Sequence, residues 1–107
     1  MASYAVGVLE QVRMGPPIVE YLEKIDETLR PFDGHFIIHG GEQDVREGAS
    51  PGTLIVIEFP DRAAVEGWYR SAAYRAILPL RTENSESNVF FIEGVDRDHL
   101  ATDVLQA

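Results

Sequence analysis

His35 and His39 bracket the short apolar run "HFIIH", and Glu58 stands next to last in "TLIVIEF". An imidazole titrates close to neutrality, so a histidine beside a bound molecule can take or give a proton. His39, followed by Gly40-Gly41, is the candidate for that role, and a hydrogen-bonded structural histidine is the plainer alternative. In a regular strand His35 and His39 share a parity with Ile37. Four residues, however, span about 13 Å at roughly 3.3 Å each, too far for both to ligate one metal ion. A metal would need Glu58 or a second subunit beside one of them, and no metal site is assigned. Glu58 lies late in a strand that is apolar on both sides, where a carboxylate needs a cation or a hydrogen-bond donor. Arg81 and Arg62 are its natural partners, in an ion pair that is structural or part of an acid catalyst. His39 and Glu58 are thus the catalytic candidates.

"FPDRAAVEGWYRSAAYRAILPLR", Phe59 to Arg81, is the most individual segment. It holds the single tryptophan, two of the four tyrosines and four arginines. Trp68 at an inward helical position reads as core, while the Tyr69 and Tyr74 hydroxyls reach either a pocket mouth or water. Together with His35 and Arg81, these three aromatics are the candidate ligand contacts. Alternation sorts the strands further: Glu58 goes with Leu54 and Val56, Glu93 with Val89 and Phe91, and Tyr4 and Glu10 with Val6 and Val8. If these parities share a face, it is apolar in the middle with titratable ends, the pattern of a small-molecule pocket. Glu10 and Glu93 fit equally well as strand ends in solvent. "HGGEQD" has neither the spacing of a phosphate loop nor a helix after it. No Ser-His-Asp set or nucleophile elbow is present.

Composition excludes several classes. A formal charge of −9 without a Lys/Arg cluster would repel a phosphate backbone, so nucleic acid is not an expected partner. The absence of cysteine rules out disulfides, thiolate catalysis and Cys-ligated metal. The N-terminus "MASYAVGVLEQV" carries no signal-peptide pattern, and no apolar run is long enough to span a bilayer. A cytoplasmic protein is expected.

The elements that must position these residues follow from periodicity. "SYAVGVLEQV" (Ser3–Val12) predicts a strand. Ile18, Tyr21, Leu22, Ile25 and Leu29 then form one helical face, begun near Pro17 and ended at Arg30 before Pro31. "HFIIHG" is a second strand that could run on, bent, into "EQDVRE". "EGASPG" is a turn and "TLIVIEF" a third strand. Asp61 can cap a helix with Ala64, Val65, Trp68 and Ala72 inward; Ser71 can cap a second piece with Ala73, Ala76, Ile77 and Leu80 inward. Pro79 should kink or end that piece. After "TENSES", "NVFFIEG" (Asn88–Gly94) is the last strand. Residues 1–95 thus read as one domain and 96–107 as a polar tail, with a single helical turn or a partner-binding arm as its alternatives.

The order β-α-β, β-α-β predicts a ferredoxin-like α+β sandwich, a four-stranded antiparallel sheet with its helices on one side. The strands are apolar at both parities, so the second face also needs a cover. A symmetric homodimer supplies one, and a monomer with a working apolar patch is the alternative.

"IEFPDRAAVEGWYRSAAYRAILPLR" closely resembles the motif of the domain-of-unknown-function family 1330. The matching positions are Glu58, Phe59, Pro60, Arg62, Ala64, Trp68, Tyr69, Ser71, Tyr74, Pro79, Leu80 and Arg81. The early tyrosine, Gly40-Gly41 and the closing "IEG" are similar too, so the resemblance covers about Ser3–Val95. Where the family usually carries basic residues on the second strand, often arginine, this chain has His35 and His39. The resemblance implies a dimeric α+β barrel, in which two such sheets pack together, and no settled activity. Two functions fit it. One is a cofactor-independent enzyme acting on a small metabolite, of oxygenase, isomerase or cyclase type. The other is a non-catalytic ligand-binding or accessory dimer.

Overall fold

Small side chains decide where the sheet meets its helices. In β1 (Ser3–Val12), Ser3, Ala5 and Gly7 alternate with Tyr4, Val6 and Val8, and the first set is buried while the second is only half-buried. The computed structural model describes residues 1–106. In it β1 pairs antiparallel with β3 (Thr53–Phe59) on one side and β4 (Ser85–Glu93) on the other. The short β2 (His35–His39) joins the outer edge of β3, so the sheet order is β2-β3-β1-β4. Cross-strand partners point to the same face. Ala5, Ile57 and Phe91 therefore face the helices, and Val6, Val56 and Phe90 face away.

α1 (Pro16–Leu29) starts with prolines in its first turn, where a missing N–H costs nothing, and buries Ile18, Tyr21, Ile25, Thr28 and Leu29. Leu22, expected inward, stays 42% exposed at the edge of that stripe. The helix gives way to a single 3-10 turn over Arg30–Phe32, then to Asp33 in the left-handed region and Gly34. A Cβ on Gly34 would stand 2.5 Å from the Phe59 ring, so only glycine lets the chain pass that close to the core.

The second helical stretch is broken at Ser71, as its capping chemistry predicts. α2 (Arg62–Arg70) is capped by Asp61, whose Oδ1 accepts from the Ala64 amide at 2.8 Å. α3 (Ala72–Thr82) is capped by Ser71, whose Oγ accepts from Tyr74 N at 3.2 Å. The inward set of α3 differs from the expectation. Ala73 and Ala76 are exposed, and Tyr74, Ile77 and Arg81 are buried. The extended Ser71 resets the helical phase by one position and turns the bulky faces of Tyr74 and Arg81 inward. Nor does Pro79 end the helix, which runs on to Thr82 with the proline ring on its exposed side.

Phe59, Trp68 and Tyr74 stack at the centre of the core, with ring centroids 5.4 Å apart for Phe59–Trp68 and 4.1 Å for Trp68–Tyr74. No strand continues beyond Gly40: residues 40–52 form a loop with positive φ at Gly40, Gly41, Gly48 and Gly52. β4 begins three residues earlier than expected, at Ser85, because Ser85 Oγ donates to the Arg81 carbonyl and starts the strand directly at the end of α3. A 3-10 turn, Ala101–Leu105, lies in the C-terminal segment. No described helix is long and apolar enough to cross a membrane. The architecture is the ferredoxin-like α+β sandwich.

Candidate functional site

The sheet separates the residues that alternation had grouped. The register of β2 slips between Phe36 and Ile38, so His35 lies opposite Glu58 while His39 lies opposite Ile55. One extra residue flips the side-chain parity downstream of it. His35 and His39 therefore stand on opposite faces, which corrects the shared parity expected of a regular strand.

On the open face, Glu58 forms a small polar cluster. Tyr4 donates its hydroxyl to Glu58 Oε2 at 3.1 Å, and His35 Nε2 lies 3.2 Å from Glu58 Oε1. The Glu58 hydrogen bond, followed by desolvation, holds the Tyr4 hydroxyl above its usual pKa. The Tyr4 ring lies so close over Gly94 that a Cβ there would meet it at 2.9 Å. The expected Glu58–Arg81 pair does not form. Arg81 belongs to no ion pair among the described residues, and Arg62 instead approaches Glu66 on its own helix at 3.5 Å. The physical reason is the phase of α3: it carries Arg81 into the helix side of the sheet, and Glu58 points to the other side.

That helix side holds a cavity of about 90 Å³ between α1 and the sheet. Ile18, Ile25, Ile55, Ile57 and Val89 supply much of its apolar wall. Gly7 forms part of its floor, where an added Cβ would meet nothing closer than Leu9 Cδ1 at 3.4 Å. Tyr21, Tyr74, Arg81 and His39 also line it. The Tyr21 and Tyr74 hydroxyls are hydrogen-bonded to each other at 2.6 Å in the buried interior. Burial, and then the Tyr74 hydroxyl, push Tyr21 far above its ordinary pKa, so it stays protonated and neutral. The Arg81 guanidinium is 7% exposed and donates to Ser87 Oγ at 2.7 Å. It also stands 5.9 Å from the centre of the Tyr21 ring. Burial works against its charge, but the facing Tyr74 and Tyr21 hydroxyls outweigh that and hold its pKa above the usual value. Its place in the last turn of α3 adds the favourable pull of the helix C-terminus.

A model of the domain of unknown function DUF1330 matches residues 2–95. The chain belongs to the DUF1330 family. Among solved structures, a protein of unknown function from Rhodopseudomonas palustris superposes with a TM-score of 0.66 at 14% identity, covering 89% of this chain and 83% of that one. A dimeric ferredoxin-like protein of unknown function from a Jannaschia species gives 0.66 at 17% identity, covering 88% and 100%. A point-mutant form of SnoaB, a cofactor-independent oxygenase from Streptomyces nogalater, gives 0.53 at 16% identity, covering 94% and 97%. No curated protein matches the sequence. At these identities the likenesses establish the fold.

Within this DUF1330 chain, His39, Trp68, Tyr74 and Arg81 meet at one cavity, while Glu58 and His35 lie on the far side of the sheet. Tyr69 does neither: its ring packs edge-on to Phe91 at 5.5 Å, with Arg75 over it at 5.7 Å. His39 stacks on Phe36 at 4.3 Å and has no hydrogen-bonded acid beside it among the described residues. Trp68 is anchored by donating Nε1 to Thr28 Oγ1 at 3.0 Å, and Thr28 in turn donates to the Ile25 carbonyl. Sequence reasoning missed Tyr21, Gly7 and Ser87. A signal for Tyr21 was present: a tyrosine on the inward stripe of an amphipathic helix must find a buried partner for its hydroxyl. Among the described residues no three His, Asp or Glu side chains gather as a metal set.

Proposed function

We propose that the protein is a homodimer that holds a small, largely apolar metabolite in the cavity between α1 and the sheet, and acts on it without a cofactor. The observation that carries this reading is the cavity itself, apolar in its walls and with four polar side chains placed on it. Trp68, Tyr74 and Arg81 are its ligand contacts, joined by Tyr21. His39 is the group that moves a proton, since it borders the cavity and is the imidazole among its lining residues. Glu58 and His35 take no part in that chemistry, because the sheet stands between them and the ligand.

The homodimer rests on the open face. Ile38, Phe90 and Ile92 are 40%, 47% and 52% exposed there, beside half-buried Val6 and Val56. A second copy's sheet would cover them, and the Jannaschia protein of the same fold is described as dimeric.

A non-catalytic ligand holder is the second reading, favoured by the absence of an acid partner for His39 among the described residues. Mass spectrometry of molecules released from the purified protein separates the two. Wild type is expected to retain a ligand that Gly7→Val, which fills the cavity floor, does not. His39→Gln is expected to hold the untransformed precursor of that ligand. The same molecule in wild type and His39→Gln would favour the holder, and an equal yield from Gly7→Val would remove the cavity from the account.

A further inference from the structure

The polar end of the cavity is led by donors, the Arg81 guanidinium and the spare proton of the Tyr21–Tyr74 pair, and this defines what it can hold. Arg81 has five N–H donors and no acceptor, and its one hydrogen bond among the described residues goes to Ser87 Oγ. Between the Tyr21 and Tyr74 hydroxyls one proton is used in their mutual bond, which leaves the other free to donate. Among the described residues no carboxylate neutralises the guanidinium, which is 7% exposed and held only by neutral hydroxyls. Opposite this end the wall is aliphatic.

Resting on the reading of the cavity as a ligand site, we infer that its ligand class is a small organic monoanion: a carboxylate on an aliphatic body, its oxygens on Arg81 and the Tyr21–Tyr74 pair. One cation calls for one negative charge, and an acceptor-only head matches a site led by the Arg81 donors and the spare tyrosine proton. An alcohol would leave the charge uncompensated, and an ammonium would be repelled. The body is small. A cavity near 90 Å³ is below the roughly 150 Å³ that encloses benzene, so it encloses about three to four carbons, fewer than benzene's six. Leu22 and Val89, 42% and 39% exposed on its border, mark where a longer chain would emerge.

The test is a titration of the whole protein with hexanoate, 1-hexanol and hexylamine, followed by the fluorescence of Trp68, the single tryptophan, which lines the cavity. Hexanoate is expected to bind at least about tenfold more tightly than hexanol, the margin of a charge-assisted hydrogen bond, and hexylamine weakest of all. Arg81→Met should erase the preference for hexanoate over hexanol, and Arg81→Lys should keep part of it. Equal binding of hexanoate and hexanol by wild type, both lost in Gly7→Val, would overturn the anion inference while leaving the cavity as a ligand site. Hexanoate binding unchanged in both Arg81→Met and Gly7→Val would overturn the inference and the cavity reading together. Wild type that binds no probe would also overturn both.

Discussion

Arg81 shows how one side chain changes meaning with its partner. Paired with Glu58 it would be a structural ion, and its loss would leave a buried carboxylate alone at a cost of about 3–5 kcal/mol. Facing Tyr21 and Tyr74 instead, it is held by neutral hydroxyls that favour its charge, and its loss strands no opposite charge in the interior. Arg81→Met is therefore expected to lose only the few degrees that hydrogen bonds to neutral partners are worth in a thermal scan, and a drop of many degrees would show that the guanidinium holds the fold. The buried tyrosines predict alkaline sensitivity. The pKa of Tyr21 is raised when folded and ordinary, near 10, when unfolded. Its contribution is complete below pH 10 and shrinks above it, because the unfolded chain then loses a proton that the folded chain keeps. Melts across pH 9–11 should show wild type losing stability more steeply than Tyr21→Phe, and parallel curves would contradict that role. Glu58→Gln touches only a partly exposed cluster, with His35 and Glu58 side chains 59% and 33% exposed, so its cost should stay within about 1 kcal/mol.

The elements were legible where a local rule acts alone. Caps at Asp61 and Ser71, the β-α-β order and the break between α2 and α3 all follow from side-chain chemistry within a few residues. What was not legible depends on phase and register, which non-local packing decides. The slip in β2 moved His39 away from His35, and the reset at Ser71 exchanged Ala73 and Ala76 for Tyr74 and Arg81 at the core. Of the seven candidates, His39, Trp68, Tyr74 and Arg81 line one cavity, and Glu58, His35 and Tyr69 lie away from it. Close backbone packing could not be read either. On α2, a Cβ at Gly67 would stand 2.9 Å from the Phe32 ring. Gly67→Ala gains about 1 kcal/mol in helix propensity, yet overpacking costs about 1–3 kcal/mol. The net effect expected in denaturant titration is destabilisation, and a stabilised variant would mean that Phe32 yields freely.

At the scale of the molecule, the two faces of one sheet carry different work in the proposed function. The open face, with Phe90 and Ile92 half exposed, is assigned to a second copy, and the helix face to a ligand. Sedimentation should give a dimer for wild type at micromolar concentration and a monomer for Phe90→Asp; a wild-type monomer would remove the dimer. The division of faces is itself the central claim, and methyl NMR on an isoleucine-labelled sample tests it most directly. Ile25, Ile55 and Ile57 line the cavity, whereas Ile38 and Ile92 lie on the open face. Addition of hexanoate is predicted to shift the first three methyl signals and leave the last two in place. Shifts confined to Ile38 and Ile92 would put the ligand on the wrong side of the sheet and contradict the account.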